Sequence, residues 1–215
     1  TLKVADDMIY DVAVHPLGKL GAIACADGRV LTLDLSEWST SALHERHRHT
    51  AAARAVAFSL DGRHLASGGL DALVMLSRTQ GGRKPLQIQD HSSKVDCLVF
   101  SPDSKSLASG SRDGKVRIHS LDGRLVRTYK GLAENADYIA WGANPFIWGL
   151  AWGGQKPILT AGAANGSLHQ LSAVDNRWTK LPKPGKRPIY SLAFTAQGEL
   201  IIGAHEVSLR RLSNP

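Results

Sequence analysis

Two sets of histidine, serine and aspartate side chains contain the residue types of a hydrolytic triad. In each set the serine lies 18 residues after the histidine and the aspartate lies 22 residues after it. A serine activated by a histidine, which an aspartate orients, is a nucleophile for acyl transfer. A catalytic triad does not recur at one spacing within a chain, so the repetition favours structural hydrogen-bond networks, and we expect no enzymatic activity. The two networks comprise His49, Ser67 and Asp71, and His91, Ser109 and Asp113.

A histidine-rich run at 44–49 could bind a metal ion. His44, His47 and His49 alternate with charged residues, and imidazoles at such a spacing are ligands for Zn²⁺ or Ni²⁺. The arginines in the same run would repel a cation, and His49 already belongs to one of the two networks. We therefore expect a solvated loop between repeats and no metal site. The sequence contains no phosphate-binding loop, dinucleotide fingerprint or zinc-protease motif, so no cofactor or small-molecule substrate is expected either.

The elements that must position these side chains form an internal repeat. Five runs alternate apolar and other residues as a half-buried β-strand does. The last residues of successive runs are separated by 44, 42, 52 and 42 residues. A period of about 40–45 residues is that of a four-stranded propeller blade, and the longer separation is one period plus an insertion. The runs are 9–14, 53–58, 95–100, 147–152 and 189–194.

The spacing within each repeat is also regular. A polar residue that can fix a tight turn stands thirteen residues after the end of each run, or twelve in the fifth repeat. These turn residues are Asp27, Asp71, Asp113, Asn165 and Glu206. A third strand follows each turn, and fourth strands are predicted at 86–88, 124–129 and 178–181. The fifth repeat has no fourth strand of its own.

The third repeat resembles the WD40 repeat. It contains Asp90-His91, then Phe100-Ser101-Pro102-Asp103, then Leu107-Ala108-Ser109-Gly110-Ser111-Arg112-Asp113-Gly114, and the second repeat is similar. The resemblance implies an all-β, WD40-type β-propeller. Repeats of that family have a buried His–Ser–Asp–Trp hydrogen-bonded chain, and the resemblance implies its His–Ser–Asp part in the second and third repeats. The other repeats have Ala5, Ala143 and Gly185 in place of the histidine and are expected to be held mainly by apolar packing. The tryptophan of that chain is replaced here by Leu33, Ser77, His119 and Leu171.

The propeller is predicted to be one domain, 1–215, with five four-stranded repeats visible. The expected blade units are 6–48, 49–90, 91–130, 145–184 and 185–215, with an insertion at 131–144. Two arrangements follow. Leu2-Lys3-Val4 could pair beside the fifth blade and close a five-blade ring, or the five repeats are part of a larger propeller.

Composition and charge limit the class of protein. The chain has 26 Lys and Arg against 19 Asp and Glu, a net charge of +7, which permits contact with nucleic acid or an acidic partner. Two cysteines among 215 residues indicate buried free thiols and a reducing, intracellular compartment, either cytoplasm or nucleus. No apolar stretch reaches the length of a membrane span, so no membrane insertion is expected.

The expected function is that of a scaffold that binds one or more proteins through the top rim of the propeller and the insertion loop 131–145. The top rim is the edge that carries the turn residues and the segments before the first strands. Two alternatives remain: a component of a ribonucleoprotein or ribosome-biogenesis assembly, and a sensor portion of a larger signalling protein. Acidic peptides fit a basic rim. The candidate partner-binding residues are Arg54, Lys94, Arg112, Tyr138, Trp141, Asn144, Arg187 and His205.

Overall fold

Each repeat forms one antiparallel sheet, because its alternating runs are joined by turns short enough to pair consecutive strands. The computed structural model describes residues 4, 7–37, 39–81, 84–130, 147–153, 158–171, 177–182, 188–195, 199–204 and 210–212. The sheets are the blades of a β-propeller, numbered 1 to 5 in chain order. The predicted all-β fold class is thereby confirmed.

The first three blades have four strands each, in sequential order. Blade 1 contains β1 (Ile9–Val14), β2 (Leu20–Cys25), β3 (Arg29–Asp34) and β4 (Leu43–Arg48). Blade 2 contains β5 (Ala53–Phe58), β6 (His64–Gly69), β7 (Val74–Arg78) and β8 (Leu86–Ile88). Blade 3 contains β9 (Val95–Phe100), β10 (Ser106–Ser111), β11 (Val116–Ser120) and β12 (Leu125–Tyr129). A short 3₁₀ helix, Thr40–Ala42, precedes β4.

The last two blades differ in strand number. Blade 4 contains β13 (Ile147–Gly153), β14 (Ile158–Ala163), β15 (Leu168–Leu171) and β16 (Trp178–Leu181). Blade 5 contains β17 (Ile189–Phe194), β18 (Leu200–Ala204) and β19 (Arg210–Leu212). Within the described residues the fifth sheet has three strands, while the other four sheets have four.

The blades pack face to face through their inner strands, β1 on β5, β5 on β9, β9 on β13 and β13 on β17. Between the described residues of β17 and β1 there is no comparably extensive packing. Val4 packs against Ile23, Cys25 and Leu31 of blade 1, whereas Leu2 and Lys3 lie outside the described residues. The described strands therefore form an arc of five blades.

The core consists of separate apolar layers, one at each contact between neighbouring blades. Small residues such as Ala66 and Ala108 on one blade face larger ones such as Phe100 and Ile147 on the next. Both cysteines, Cys25 and Cys97, are buried free thiols, as expected from the sequence. The described residues include no helix with the length and hydrophobicity that crossing a bilayer requires.

Candidate functional site

Blade 2 brings together the first predicted set of polar side chains. His49 lies 2.8 Å from the Ser67 hydroxyl through Nε2 and 2.9 Å from the Asp71 carboxylate through Nδ1. Asp71 also accepts the backbone N–H of Thr50 at 2.9 Å and that of Leu73 at 3.2 Å. The set thus ties the segment before the inner strand to the turn between β6 and β7.

A further histidine, which the sequence did not assign to this set, extends the chain of hydrogen bonds. His47 on β4 of blade 1 lies 2.7 Å from Ser67 through Nδ1 and 2.8 Å from Ser77 through Nε2. Ser77 occupies the position at which the WD40 pattern has tryptophan. Its short side chain leaves space that the imidazole of the preceding blade occupies.

The direction of each bond in this chain follows from Asp71, because a carboxylate only accepts hydrogen bonds. With a neutral ring, His49 donates from Nδ1 to Asp71 and accepts at Nε2 from the Ser67 hydroxyl. The Ser67 oxygen then accepts from His47 Nδ1, and His47 Nε2 accepts from Ser77. Burial first, and then nearby His49 and Arg46, lower the pKa of His47 to about 3, so this imidazole is neutral at pH 7.

Blade 3 contains the second predicted set with a different extension. His91 lies 2.8 Å from Ser109 and 3.1 Å from Asp113, and Arg117 donates to Asp113 at 2.7 Å. Burial alone would raise the pKa of Asp113, but hydrogen bonds from His91 and Arg117 lower it well below its ordinary value. His119, at the tryptophan position, instead contacts Asp90 at 2.8 Å.

The geometry of both sets suits structure rather than catalysis. Ser67 and Ser109 are fully buried, at 0% exposure, so their hydroxyls have no path to a substrate. A catalytic nucleophile needs an accessible site beside it in which the reacting carbonyl of a substrate can lie. Both hydroxyls are instead enclosed by the networks that fix the turns of their blades.

The expectation of a solvated loop at 44–49 was wrong. Residues 43–48 form β4, and His47 is buried at the contact between blades 1 and 2. His44 on the same strand is exposed, so the three imidazoles do not converge. The described residues contain no cluster of three or more His, Cys, Asp or Glu side chains that could hold a metal ion.

The inner strands share an irregularity that the sequence did not reveal. In all five blades the ladder between the first two strands shifts register at the second residue of the inner strand, which forms a β-bulge. Bulges re-aim side chains and are frequent beside binding sites. The bulge residues are Tyr10, Arg54, Asp96, Trp148 and Tyr190.

A cavity of about 410 Å³ lies where the five inner strands converge. Four of the bulge residues, Tyr10, Arg54, Asp96 and Tyr190, line it together with Arg112. The volume falls within the range of ligand-binding clefts, which is about 300–1,000 Å³. These four bulges therefore border one shared site on the axis of the arc.

Charge in this cavity is centred on a buried carboxylate between two arginines. Arg112 donates to Asp96 from Nε at 2.7 Å and from Nη2 at 3.2 Å, and Arg54 donates from Nε at 3.3 Å. The Asp96 side chain is only 2% exposed, whereas those of Arg54 and Arg112 are 29% and 27% exposed. The Arg54 guanidinium also stacks over the Tyr10 ring at 4.2 Å. The exposed part of this cluster is consequently cationic.

A second carboxyl in the cavity belongs to Asp11. Burial raises the pKa of Asp11 above its ordinary value, although backbone N–H groups of Val56 and Val12 bond to it. The carboxyl faces blade 2, where the Val56 N–H contacts it at 2.9 Å. The Asp11 carboxyl thus joins blade 1 to blade 2 through a hydrogen bond.

The predicted rim residues divide into two groups. Arg54 and Arg112 meet at Asp96, and Lys94 is exposed nearby, with its carbonyl accepting the Arg112 backbone N–H at 2.9 Å. The insertion loop 131–145 and the other candidates lie outside the described residues: Tyr138, Trp141, Asn144, Arg187 and His205. Sequence reasoning missed Tyr10, Asp96 and Tyr190, although each is a polar or aromatic residue at one aligned position of an apolar run.

Comparison with protein families gives two matches. The family described as "WD domain, G-beta repeat" matches residues 40–76 and 83–120. Each match begins at or before the outer strand of one blade and ends in the third strand of the next. The chain therefore contains WD repeats. A comparison with curated protein sequences found no significant match.

WD40 repeats generally mediate protein–protein interaction and are typically non-catalytic scaffolds. The two matched segments contain both buried histidine networks, which stand in blades 2 and 3 of this WD-repeat protein. These repeats thus indicate a general role in binding proteins, and the partner has to be argued from the site.

Proposed function

We propose that this WD-repeat protein is a scaffold that binds a peptide segment of a partner protein at the cavity surrounded by the bulge residues. The observation that carries the proposal is the position of Arg54, Arg112 and Tyr190 at one opening. Arginine and tyrosine are enriched among the residues that dominate binding energy at interfaces. All three are partly exposed, so a partner can reach them.

The chemistry of the cavity favours an acidic side chain in the partner. Two guanidinium groups share one buried carboxylate and are more exposed than it is, so cationic groups face the opening. A guanidinium binds a carboxylate with a planar pair of donors, and such a bond is stronger than one between neutral groups. Tyr190, 46% exposed, offers an apolar ring to the neighbouring residue of the peptide.

The arginines are also held in place before binding. Asp96 fixes both guanidinium groups, and the Tyr10 ring supports Arg54 from one side. A binding group that is already oriented loses less conformational entropy on association. The insertion loop 131–145 is proposed to add contacts at the same rim.

The test is to select binders from a displayed library of short random peptides and measure their affinities by fluorescence anisotropy. The selected peptides are expected to carry Asp or Glu. Tyr190→Ala and Arg112→Gln should each weaken binding at least tenfold, which corresponds to about 1.4 kcal/mol. Arg127→Gln, which changes an exposed arginine on the outer strand β12, is the matched control and should leave affinity unchanged.

Peptides that bind both cavity variants as well as the unchanged chain would contradict the proposal. Binding of a single-stranded RNA with a steep salt dependence would favour the ribonucleoprotein alternative, since released counterions dominate such binding. A circular dichroism spectrum of each variant separates loss of binding from loss of the fold.

A further inference from the structure

The edge of the propeller opposite the top rim contains a second cavity. This lower rim carries the turns between the first and second strands of each blade and the connections between the third and fourth strands. A cavity of about 610 Å³ lies there between blades 2 and 3, a size within the range of ligand-binding clefts. Its lining comes from β7, the β7–β8 connection, the start of β8 and the β11–β12 turn.

Neighbouring blades have connections of different length at this rim. β11 and β12 are joined by a tight turn in which the Gly123 N–H donates to the Ser120 carbonyl at 2.9 Å, whereas the β7–β8 connection spans residues 79–85. Asp122 in the tight turn accepts from the Ser120 hydroxyl, so its carboxylate already has a donor. Leu86 reaches the same turn, because a Cβ atom at position 123 would lie 2.6 Å from its Cδ2. The longer connection and the tight turn thus form two walls of the cavity.

The apolar part of the cavity consists of three leucines. Leu76 on β7 is buried, Leu121 in the tight turn is half-buried, and Leu86 is 40% exposed. A large aliphatic or aromatic side chain that enters the cavity would remove this surface from water, and such burial is favourable. The cavity can therefore hold an apolar group of a partner.

The charged groups at this cavity are cationic. Arg78 ends β7 and Lys84 lies in the β7–β8 connection, and both are exposed. The described residues that line the cavity include no Asp or Glu. Burial lowers the pKa of His64, so this imidazole is neutral at pH 7. An acidic group of a partner can consequently supply the counter-charge for both cations.

The backbone beside the cavity is fixed before any partner binds. Arg46 of blade 1 donates from Nη2 to the carbonyls of Arg78 and Thr79, each at 2.9 Å. These bonds hold the start of the β7–β8 connection against blade 1. A binding group on a backbone that is already ordered loses less conformational entropy on association.

We infer that the lower-rim cavity binds a peptide segment of a partner protein in which an acidic residue stands next to a large aliphatic or aromatic residue. The acidic residue pairs with Arg78 and Lys84, and the apolar residue packs on Leu86. A protein segment is favoured over single-stranded nucleic acid, because sites for the latter stack bases on aromatic rings and three leucines line this cavity instead. The site is separate from the cavity at the top rim, so one chain can bind two segments at once.

The test is a selection of random displayed peptides on the unchanged chain, after removal of every peptide that binds the double variant Arg78→Gln with Lys84→Gln. The surviving peptides are expected to carry Asp or Glu beside Leu, Ile, Met or Phe. Their affinities are then measured by fluorescence anisotropy. Leu86→Ala, which was not used in the selection, should weaken binding at least about fivefold.

Two control variants show which site is occupied. Lys105→Gln changes an exposed cation on the lower rim of blade 3 that does not line the cavity, and it should leave affinity unchanged. Arg112→Gln alters the top-rim cavity and should also have no effect on these peptides, whether or not that cavity binds a partner. A circular dichroism spectrum of each variant verifies the fold.

Three results would overturn the inference. The first is a selection from which no peptide survives the removal step. The second is a set of surviving peptides that lack acidic residues or bind Leu86→Ala as well as the unchanged chain. The third is binding of an oligouridine that the double variant abolishes while no peptide is selected, since this would assign the cavity to nucleic acid.

Discussion

Replacing His47 with glutamine should change how stability depends on pH. The imidazole is 2% exposed and bonded to Ser67 and Ser77, and burial lowers its pKa from 6.5 to about 3. In the unfolded chain it takes up a proton near pH 6.5, whereas in the folded chain it stays neutral until about pH 3. Its contribution is therefore fully present above pH 6.5 and is lost as the pH falls from 6.5 toward 3.

The size of the effect follows from this difference. At pH 5 the unfolded His47 is almost fully protonated and the folded one is not, so the free energy of unfolding falls by about 2 kcal/mol relative to pH 7. For a chain of this length, that shift corresponds to a melting temperature lower by about 4–8 °C. His47→Gln can still bond to the two serines but cannot take up the proton.

Urea unfolding of both proteins at pH 7, 6 and 5 measures this dependence. Other groups titrate in both proteins, so the informative quantity is the difference in unfolding free energy between them. That difference should shift in favour of His47→Gln by about 2 kcal/mol from pH 7 to pH 5. His44→Gln, which changes an exposed residue on the same strand, is the control. Its unfolding free energy should differ from that of the unchanged chain by the same amount at all three pH values. Parallel stability curves for the unchanged chain and His47→Gln would refute the reasoning.

Two backbone substitutions in the turns after β2 and β6 should move stability in opposite directions. Ala72 has a φ of 67°, and the equivalent residue in the turn after β2 is Gly28, with a φ of 88°. Because a side chain is strained in this conformation, Ala72→Gly should stabilise the folded chain by about 0.5–1 kcal/mol in thermal unfolding. An unchanged or lower melting temperature would contradict this. At Gly28 a Cβ atom would lie 2.5 Å from the His49 carbonyl oxygen, so Gly28→Ala should destabilise by several times more than Gly18→Ala, where nothing lies within 4 Å. Equal losses in urea unfolding of the two alanine variants would show that the contact does not matter.

The repeat and its turns could be predicted from the sequence because both depend on local patterns. Alternation defined the inner strands, and the turn aspartates at a fixed spacing from the inner strands located the β6–β7 and β10–β11 turns. The strand β4 was missed because its run, Leu43–Arg48, has a single aliphatic residue and no alternation. The partners of His47 lie on another blade, 20 and 30 residues away, so no local pattern indicates its burial.

The cavity could not be predicted from the sequence, for a related reason. The residues Tyr10, Arg54 and Asp96 can be aligned in the sequence, but alternation alone would place them on a blade face. Only the bulge, an irregularity of pairing between two strands, turns them toward the axis. Arg54 and Arg112 were proposed from their rim position, whereas the carboxylate that joins them was not, because it comes from the interior of an apolar run.

The hydrogen bonds of this WD-repeat protein make the contact between two blades its unit of stability. Arg46 of blade 1 donates to the carbonyls of Arg78 and Thr79 in blade 2, and Asp11 of blade 1 accepts from blade 2. His47 crosses the same contact. Among the described residues, blade 1 has such bonds on the face that meets blade 2.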